Sequence, residues 1–378
     1  MTDLAPRDVA RLKNALPFWL SLGTMPVALI GMSVGGWTVL LMPLYTWGLY
    51  ALLDTLLGLN PQNADPDSTE DDLFFYRLIT LIWFPVQATL LFTLIWYTTH
   101  TTHLNGWEKI GLFFGMGVIS GTIGITYAHE LMHQKSKTER WLGDLLMASV
   151  LYSHFRSEHL RVHHVHIGTP KDAVTARYNE GFHRYFPRVL WQCARSAWHV
   201  EAAMLARKNL PPTHRSNPFW RYAALQIAML TLAYALGGWT GLALFTFQAF
   251  VAVWQLELVD YIEHYGLTRR HLGHGKYEHV LPRHSWNAAH KASNWLLINL
   301  QRHSDHHYKP DRRFPLLQSH DQDAAPQLPY GYPVMTALAM VPPLWKRVMN
   351  KRVKEWRKQN YPDITDWKAY NKGTNAVG

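Results

Sequence analysis

From Phe18 to Gly58 the chain carries one charge, Asp54, in a run of Leu, Trp, Val, Tyr and Gly. A helix crosses a bilayer with about 20 residues, so this run is too long for one crossing, and the Gly35-Gly36 pair divides it. The expectation is two spans, over 17–34 and 37–58. Similar apolar blocks predict further spans over 74–98, 107–127, 219–235 and 242–262. Backbone in hydrocarbon must satisfy its own hydrogen bonds, which leaves helices and closed barrels, and blocks of this length select helices. Mean hydropathy of −0.15 looks soluble only because very apolar blocks are averaged with a polar middle.

The fold class expected is therefore all-α integral membrane: one domain, residues 1–378, with a six-transmembrane-helix bundle. A cytoplasmic helical cap over 128–218 and 263–378 completes it. Charge sets the orientation. Residues 134–215 carry Lys135, Lys137, Arg140, Arg156, Arg161, Arg177, Arg184 and Arg195, and the tail carries Lys346, Arg347, Lys351, Arg352 and Lys354. Basic segments stay in the cytoplasm, which puts both termini inside. The connector 60–72 is acidic and broken by Pro61 and Pro66. Trp141–Tyr152 is too short for a span and is expected to be buried or interfacial. Tyr332–Trp345, interrupted by Pro342-Pro343, should cap the domain. The N-terminal stretch, with Arg7, Arg11 and Lys13, does not have the form of a cleavable signal. Net charge is +10, but no nucleic-acid module accompanies it. One cysteine, Cys193, excludes a disulfide framework, a four-cysteine iron–sulfur site and covalent haem attachment.

Histidine is the residue that clusters. His303, His306 and His307 stand as i, i+3 and i+4, so a helix would put them on one face. His129 and His133 are i, i+4 at the end of the fourth span, whose five glycines suit close helix packing or close approach of a ligand. His159, His163 and His164 form a third cluster, and His264 ends the sixth span. Neutral imidazole is the commonest protein ligand for transition metals. Nine exceed the roughly four to six donors of one first-row metal, so two metals are the natural solution. Read alone, His129-Glu130-Leu131-Met132-His133 matches the zinc-protease string with Glu130 as base, but the other histidines outnumber what one zinc uses. Iron and copper suit such nitrogen donors, whereas zinc lacks redox chemistry and finds no thiolate here. Glu130, Glu158, Asp260, Glu263 and Asp305 stand near these histidines. Each reads either as an acceptor fixing an imidazole tautomer or as an ordinary carboxylate. His166 and the remaining histidines are not singled out by spacing.

These stretches resemble the integral-membrane alkane 1-monooxygenases, a histidine-rich non-haem di-iron family. The resemblance rests on His129–His133, Glu158–His164, Glu263-His264-Tyr265-Gly266 and Leu300-Gln301-Arg302-His303-Ser304-Asp305-His306-His307, with His284-Ser285-Trp286-Asn287 between. It implies that all nine histidines hold two irons beneath six helices enclosing an apolar channel. The implied reaction is O2-dependent hydroxylation of an n-alkane's terminal methyl, in the inner (cytoplasmic) membrane of a bacterium. The chain has no dinucleotide fingerprint and no iron–sulfur site, so two electrons must come from outside. The family takes them from rubredoxin, itself reduced by rubredoxin reductase and NAD(P)H. The family also has a bulky side chain in the second span that limits alkane length; Trp47 is the candidate, with an aromatic packing role as its alternative. Hydroxylation of methyl groups on aromatic rings, fatty-acyl desaturation or hydroxylation, and metal transport are the rival readings.

Overall fold

A computed structural model describes residues 6–373; the extreme termini, expected on the cytoplasmic side, lie outside the described residues. Regular structure within that range is helical, and extended backbone pairs only in isolated bridges such as Leu59 with His290. Five helical stretches are long and apolar enough to cross a membrane: α1 (Arg7–Val34), α2 (Gly36–Leu57), α3 (Phe74–His100), α4 (Gly106–His133) and the 47-residue α8 (Pro218–His264). Between and after them come α5 (Lys137–Ser149), α6 (155–166), α7 (Phe182–Ala206), α9 (Lys291–Leu296), α10 (His303–Tyr308), α11 (Tyr332–Ala339), α12 (Pro342–Asn360) and α13 (Lys368–Lys372).

The blocks at 219–235 and 242–262, expected as separate spans, form one stretch bent at Gly238, which takes φ 56° and ψ −150°. Glycine adopts that region without steric cost. α4 outruns its expected end at residue 127 and continues to His133, after a π-turn at Ser120–Ile125. Its start is fixed by a capping box. Asn105 Oδ1 accepts from the N–H groups of Trp107 (2.9 Å) and Glu108 (3.0 Å), while Glu108 returns a bond to Asn105 N at 2.6 Å. The other Glu108 oxygen accepts from Gly36 N at 2.6 Å, tying this turn to the start of α2. Pro342, which interrupts the apolar piece in the sequence, opens α12, where a missing N–H costs nothing.

α4 and α8 press together along α4's glycines. A Cβ on Gly117 would lie 2.6 Å from Val251 Cβ, and one on Gly121 would lie 2.7 Å from Gln255 Cβ. Small residues at this spacing let helix backbones approach closely. The second apolar core joins the far end of α8, at Tyr261 and Tyr265, to Tyr185 of α7, Met335 of α11 and Trp345 of α12. Outward-facing positions remain apolar: Leu29, Leu52 and Phe250 are exposed, and so are Trp37, Trp107 and Trp239 beside the three turns at one end of the helices. Apolar flanks with tryptophan at their ends are what membrane helices present to lipid and to its interface.

Candidate metal centre

Helix ends deliver the histidines. His129 and His133 occupy the last turn of α4, His264 the last position of α8, and His303, His306 and His307 the short α10. The chain enters α10 through left-handed backbone at Ile298 (φ 44°) and Asn299 (φ 60°). Asn299 Nδ2 donates to Phe314 O at 3.0 Å. Arg302 reaches the acidic connector, donating to Gln62 O at 2.7 Å and, on the other side, to Leu317 O at 2.6 Å. Ser304 N donates to Asn287 Oδ1 at 2.9 Å, so the segment 284–287 is a brace for α10. His284 belongs to that brace, bonding Leu281 N and the Tyr361 hydroxyl.

All nine histidines come together, in two adjoining groups. His129, His133, His159, His164 and His306 form one, and His163, His264, His303 and His307 the other; within each, the donor atoms lie within 4.8 Å of one another. The groups touch, with the His164 and His307 ring centroids 4.5 Å apart. Spacing misleads about which histidine joins which group. His159 and His163, i and i+4, separate because α6 makes a π-turn over His159–His163. An i+5 turn instead aligns His159 with His164, whose Nε2 atoms stand 2.9 Å apart. In α10, His303 and His307 pair at 3.0 Å while His306 turns to His164, also at 3.0 Å. That helix therefore serves both groups. His166, His154 and His290 belong to neither.

The donor set fits metal ions. Neighbouring Nε2 atoms lie 2.9–3.1 Å apart in both groups. Two nitrogens bound at about 2.1 Å and at right angles would be separated by about 3.0 Å, whereas tetrahedral angles would give about 3.4 Å. Both separations lie inside the 4.8 Å that bounds each group, so either group can hold an ion. Burial holds the imidazoles of His159, His164, His303, His306 and His307 well below the usual pKa, and neighbouring histidines add to the effect. Each therefore stays neutral and keeps a lone pair to give.

The carboxylates divide. Glu263 accepts from the Tyr332 hydroxyl at 2.7 Å and stands 3.3 Å from His303 Nε2. Asp260 lies within donor range of Glu263 and His264, with its Oδ2 unpartnered. Glu158 is fully buried with no N–H or O–H donor on either oxygen, and burial pushes its pKa up although the Cys193 thiol opposes this. Glu130 faces away, accepting from Gln134 Nε2 at 2.9 Å. Asp305 also faces away and staples the following loop, accepting from Arg312 (2.5 Å) and Gln318 N (2.9 Å). Spacing missed Asp172, whose Oδ2 lies 3.0 Å from His163 Nδ1. Burial opposes its charge, yet His163, Thr175 and Val174 around it keep its pKa below the ordinary value. The signal available was a turn: Asp172 accepts from Val174 N and Thr175 N, the Asx pattern.

A cavity between α2, α4, α8 and α11 reaches His129, His159 and His303. Its walls include Trp47, Ile125, Leu256, Val259, Leu297 and Leu300, and its free volume is about 40 Å³. Trp47 packs edge-on against Phe114 and Trp254, ring centroids 5.8 and 6.3 Å away.

Residues 105–339 match the sequence family described as fatty acid desaturase. The chain is 37% identical to alkane 1-monooxygenase 2 of Pseudomonas aeruginosa over 363 residues, 95% of this chain and 93% of that protein. It is 39% identical to alkane 1-monooxygenase 2 of Alcanivorax borkumensis, over 82% of each. The hydroxylase component of xylene/toluene monooxygenase from Pseudomonas putida is 26% identical, over 91% of this chain and 90% of its own length.

Proposed function

The chain belongs to the alkane 1-monooxygenases of the fatty acid desaturase family, and from that premise we propose that it hydroxylates the terminal methyl of n-alkanes. The observation that carries the reading is the apolar cavity ending on nine converged histidines. His129, His133, His159, His164 and His306 would hold one iron, and His163, His264, His303 and His307 the other. Bound there, the two irons would supply activation of O2, so that one oxygen atom enters the C–H bond and the other leaves as water.

The protein's own contribution is positioning. An alkane offers no hydrogen bond, so it binds by burial, at about 0.8 kcal/mol per methylene. The free volume of about 40 Å³ is little more than one water's share of about 30 Å³, so side chains must move to admit a chain. Trp47, half-buried where α2 meets the cavity, is the wall we expect to limit chain length. Asp172 holds the proton of His163 at Nδ1, leaving Nε2 for a metal. Asp260 stands beside His264 with one oxygen unpartnered, and Glu263 is held toward His303 by Tyr332.

Electrons come from a partner, for which rubredoxin is the expected carrier. Of the nine histidines only His133 and His164 are partly exposed. Exposed Lys135, Arg161 and Lys309 follow or neighbour the histidine clusters in sequence, which supports docking of an acidic carrier. Orientation follows from charge: the basic segments lie at the histidine end, so that end faces the cytoplasm of a bacterial inner membrane. The two arms of α8 about Gly238 count as the fifth and sixth crossings of a single 378-residue domain. Metal transport would place ligands near the middle of the spans, whereas these lie at helix ends.

The test is metal content of purified protein, then octane with rubredoxin, its reductase, NADH and O2, alongside a toluene arm. Two irons per chain and 1-octanol support the reading. Zinc, or no oxygen-dependent product from octane, would sink it, and benzyl alcohol alone would move the substrate to methylarenes.

A further inference from the structure

Besides Asp260 Oδ2 beside the histidines, three polar atoms stand in the wall of the hydrocarbon cavity with nothing in the protein to bond. Gln255 and Thr122 are 4% and 8% exposed. The Gln255 Oε1, the Thr122 Oγ1 and the Trp47 indole nitrogen are all buried without a hydrogen-bond partner. The three residues line the same cavity and are neighbours. The Gln255 side chain lies over Gly121, the residue before Thr122, and Trp47 packs against Trp254, the residue before Gln255. Buried polar groups are bonded in the great majority of cases, so three in one wall need an explanation.

A hydrocarbon guest leaves all three unsatisfied. A hydroxyl does not: its O–H donates to Gln255 Oε1, and its oxygen accepts from the Trp47 N–H, with Thr122 able to serve either way. An ester or ketone has no donor for Gln255. A carboxylate is disfavoured because Asp260 and Glu263 line the cavity and no Lys or Arg does. Depth gives the length of the guest. Thr122 precedes His129 by seven residues on α4, and Gln255 precedes His264 by nine on α8. At 1.5 Å per residue these are about 10 and 14 Å, the length of an extended chain of roughly nine to twelve carbons.

We infer that Gln255, Thr122 and Trp47 form a hydroxyl subsite, through which the protein takes medium-chain primary alcohols methyl-first and converts them to α,ω-diols. The inference rests on the alkane-hydroxylating reading above. The reaction balances as that one does. A terminal C–H bond of the alcohol is replaced by C–OH, with one atom of O2. The other atom, two electrons from the same external carrier and two protons leave as water.

The experiment assays the full-length membrane protein with its electron donors on decane and on 1-decanol, separating 1,10-decanediol from decanal. Diol should form, and Gln255→Leu should lower the ratio of kcat/KM for 1-decanol to that for decane about tenfold, the effect of one lost hydrogen bond to a buried group. Thr122→Val, nearly isosteric, should lower it about threefold. Decane hydroxylation without diol, or decanal as the only product from 1-decanol, overturns the subsite. So does a ratio unchanged in both variants, the result expected if ordered water occupies this wall. Failure on decane as well would instead count against the alkane reading itself.

Discussion

Replacing Asp172 with Asn should weaken one metal position and spare the other. Asp172 Oδ2 faces His163 Nδ1 at 3.0 Å and also accepts from Thr175 Oγ1 (2.6 Å) and Thr175 N (3.1 Å). Oδ1 is engaged by Val174 N at 3.0 Å. In Asn, one of these oxygens becomes an NH2 group. If it replaces Oδ2, it meets donors and can bond His163 only by accepting at Nδ1, which forces the proton onto Nε2, the atom aimed at the metal. A hydrogen bond to a charged group contributes about 1.5–3 kcal/mol, which is about tenfold to a hundredfold in affinity and in line with other partners of metal-bound histidine. The assay is equilibrium dialysis against graded free Fe2+, with metal counted per chain. One equivalent should dissociate at a tenfold to hundredfold higher free concentration. The other should be unmoved, since no histidine of the five-membered group bonds Asp172. Thr175→Val, which removes the hydroxyl's bond to Asp172 and the one it accepts from Gly168 N, should shift the same equivalent a fewfold. Both equivalents retained as in the wild type, or both lost in parallel, would refute the argument.

His306→Ala should abolish alcohol formation and lower metal content, because that ring completes one group from a helix that also serves the other; His166→Ala, outside both groups, should keep activity within about twofold. Trp47→Ser should extend the accepted alkanes by several methylenes, each adding about 0.8 kcal/mol of burial; an unchanged product profile would remove Trp47 as the limit. Glu278 predicts an acid dependence. Burial opposes its charge, yet His284, Arg270 N and Tyr361 pull its pKa from 4.5 down to about 2 in the folded protein. The unfolded chain takes up the proton first, so this stability is present above pH 4.5 and is lost as pH falls toward 2. The melting-temperature gap between wild type and Glu278→Gln should therefore be widest near neutrality and close below pH 3.

Length and charge made the apolar helices legible, since a bilayer imposes its thickness on any sequence that crosses it. Eight of the nine histidines were legible because they cluster in sequence, and the solitary His264 through the resemblance of Glu263-His264-Tyr265-Gly266. Their partition was not: i, i+4 spacing pairs His159 with His163, and only the π-turn pairs His159 with His164. Asp172 was hidden because a tertiary fold, not a helix register, brings it to His163. Asp305 misled for the opposite reason, lying beside two histidines in sequence while its side chain turns to Arg312 and Gln318. The bend at Gly238 was visible as a glycine pair, but the continuous assignment of α8 across it was not.

The π-turn inside α4 has an evolutionary side. A π-turn holds one residue more than an α-turn, so the stretch Ser120–Ile125 absorbs an extra residue without turning the helix beyond it. Deleting one residue there would restore ordinary helix and leave His129 and His133 facing the cluster. Deleting one between Thr126 and Ala128, where the helix is already regular, would swing both ligands by about 100°. Working relatives should therefore tolerate a one-residue difference in length at the π-turn but none between it and His133. In this sense the turn is slack in the chain: it stores a residue without changing the direction in which two ligands point.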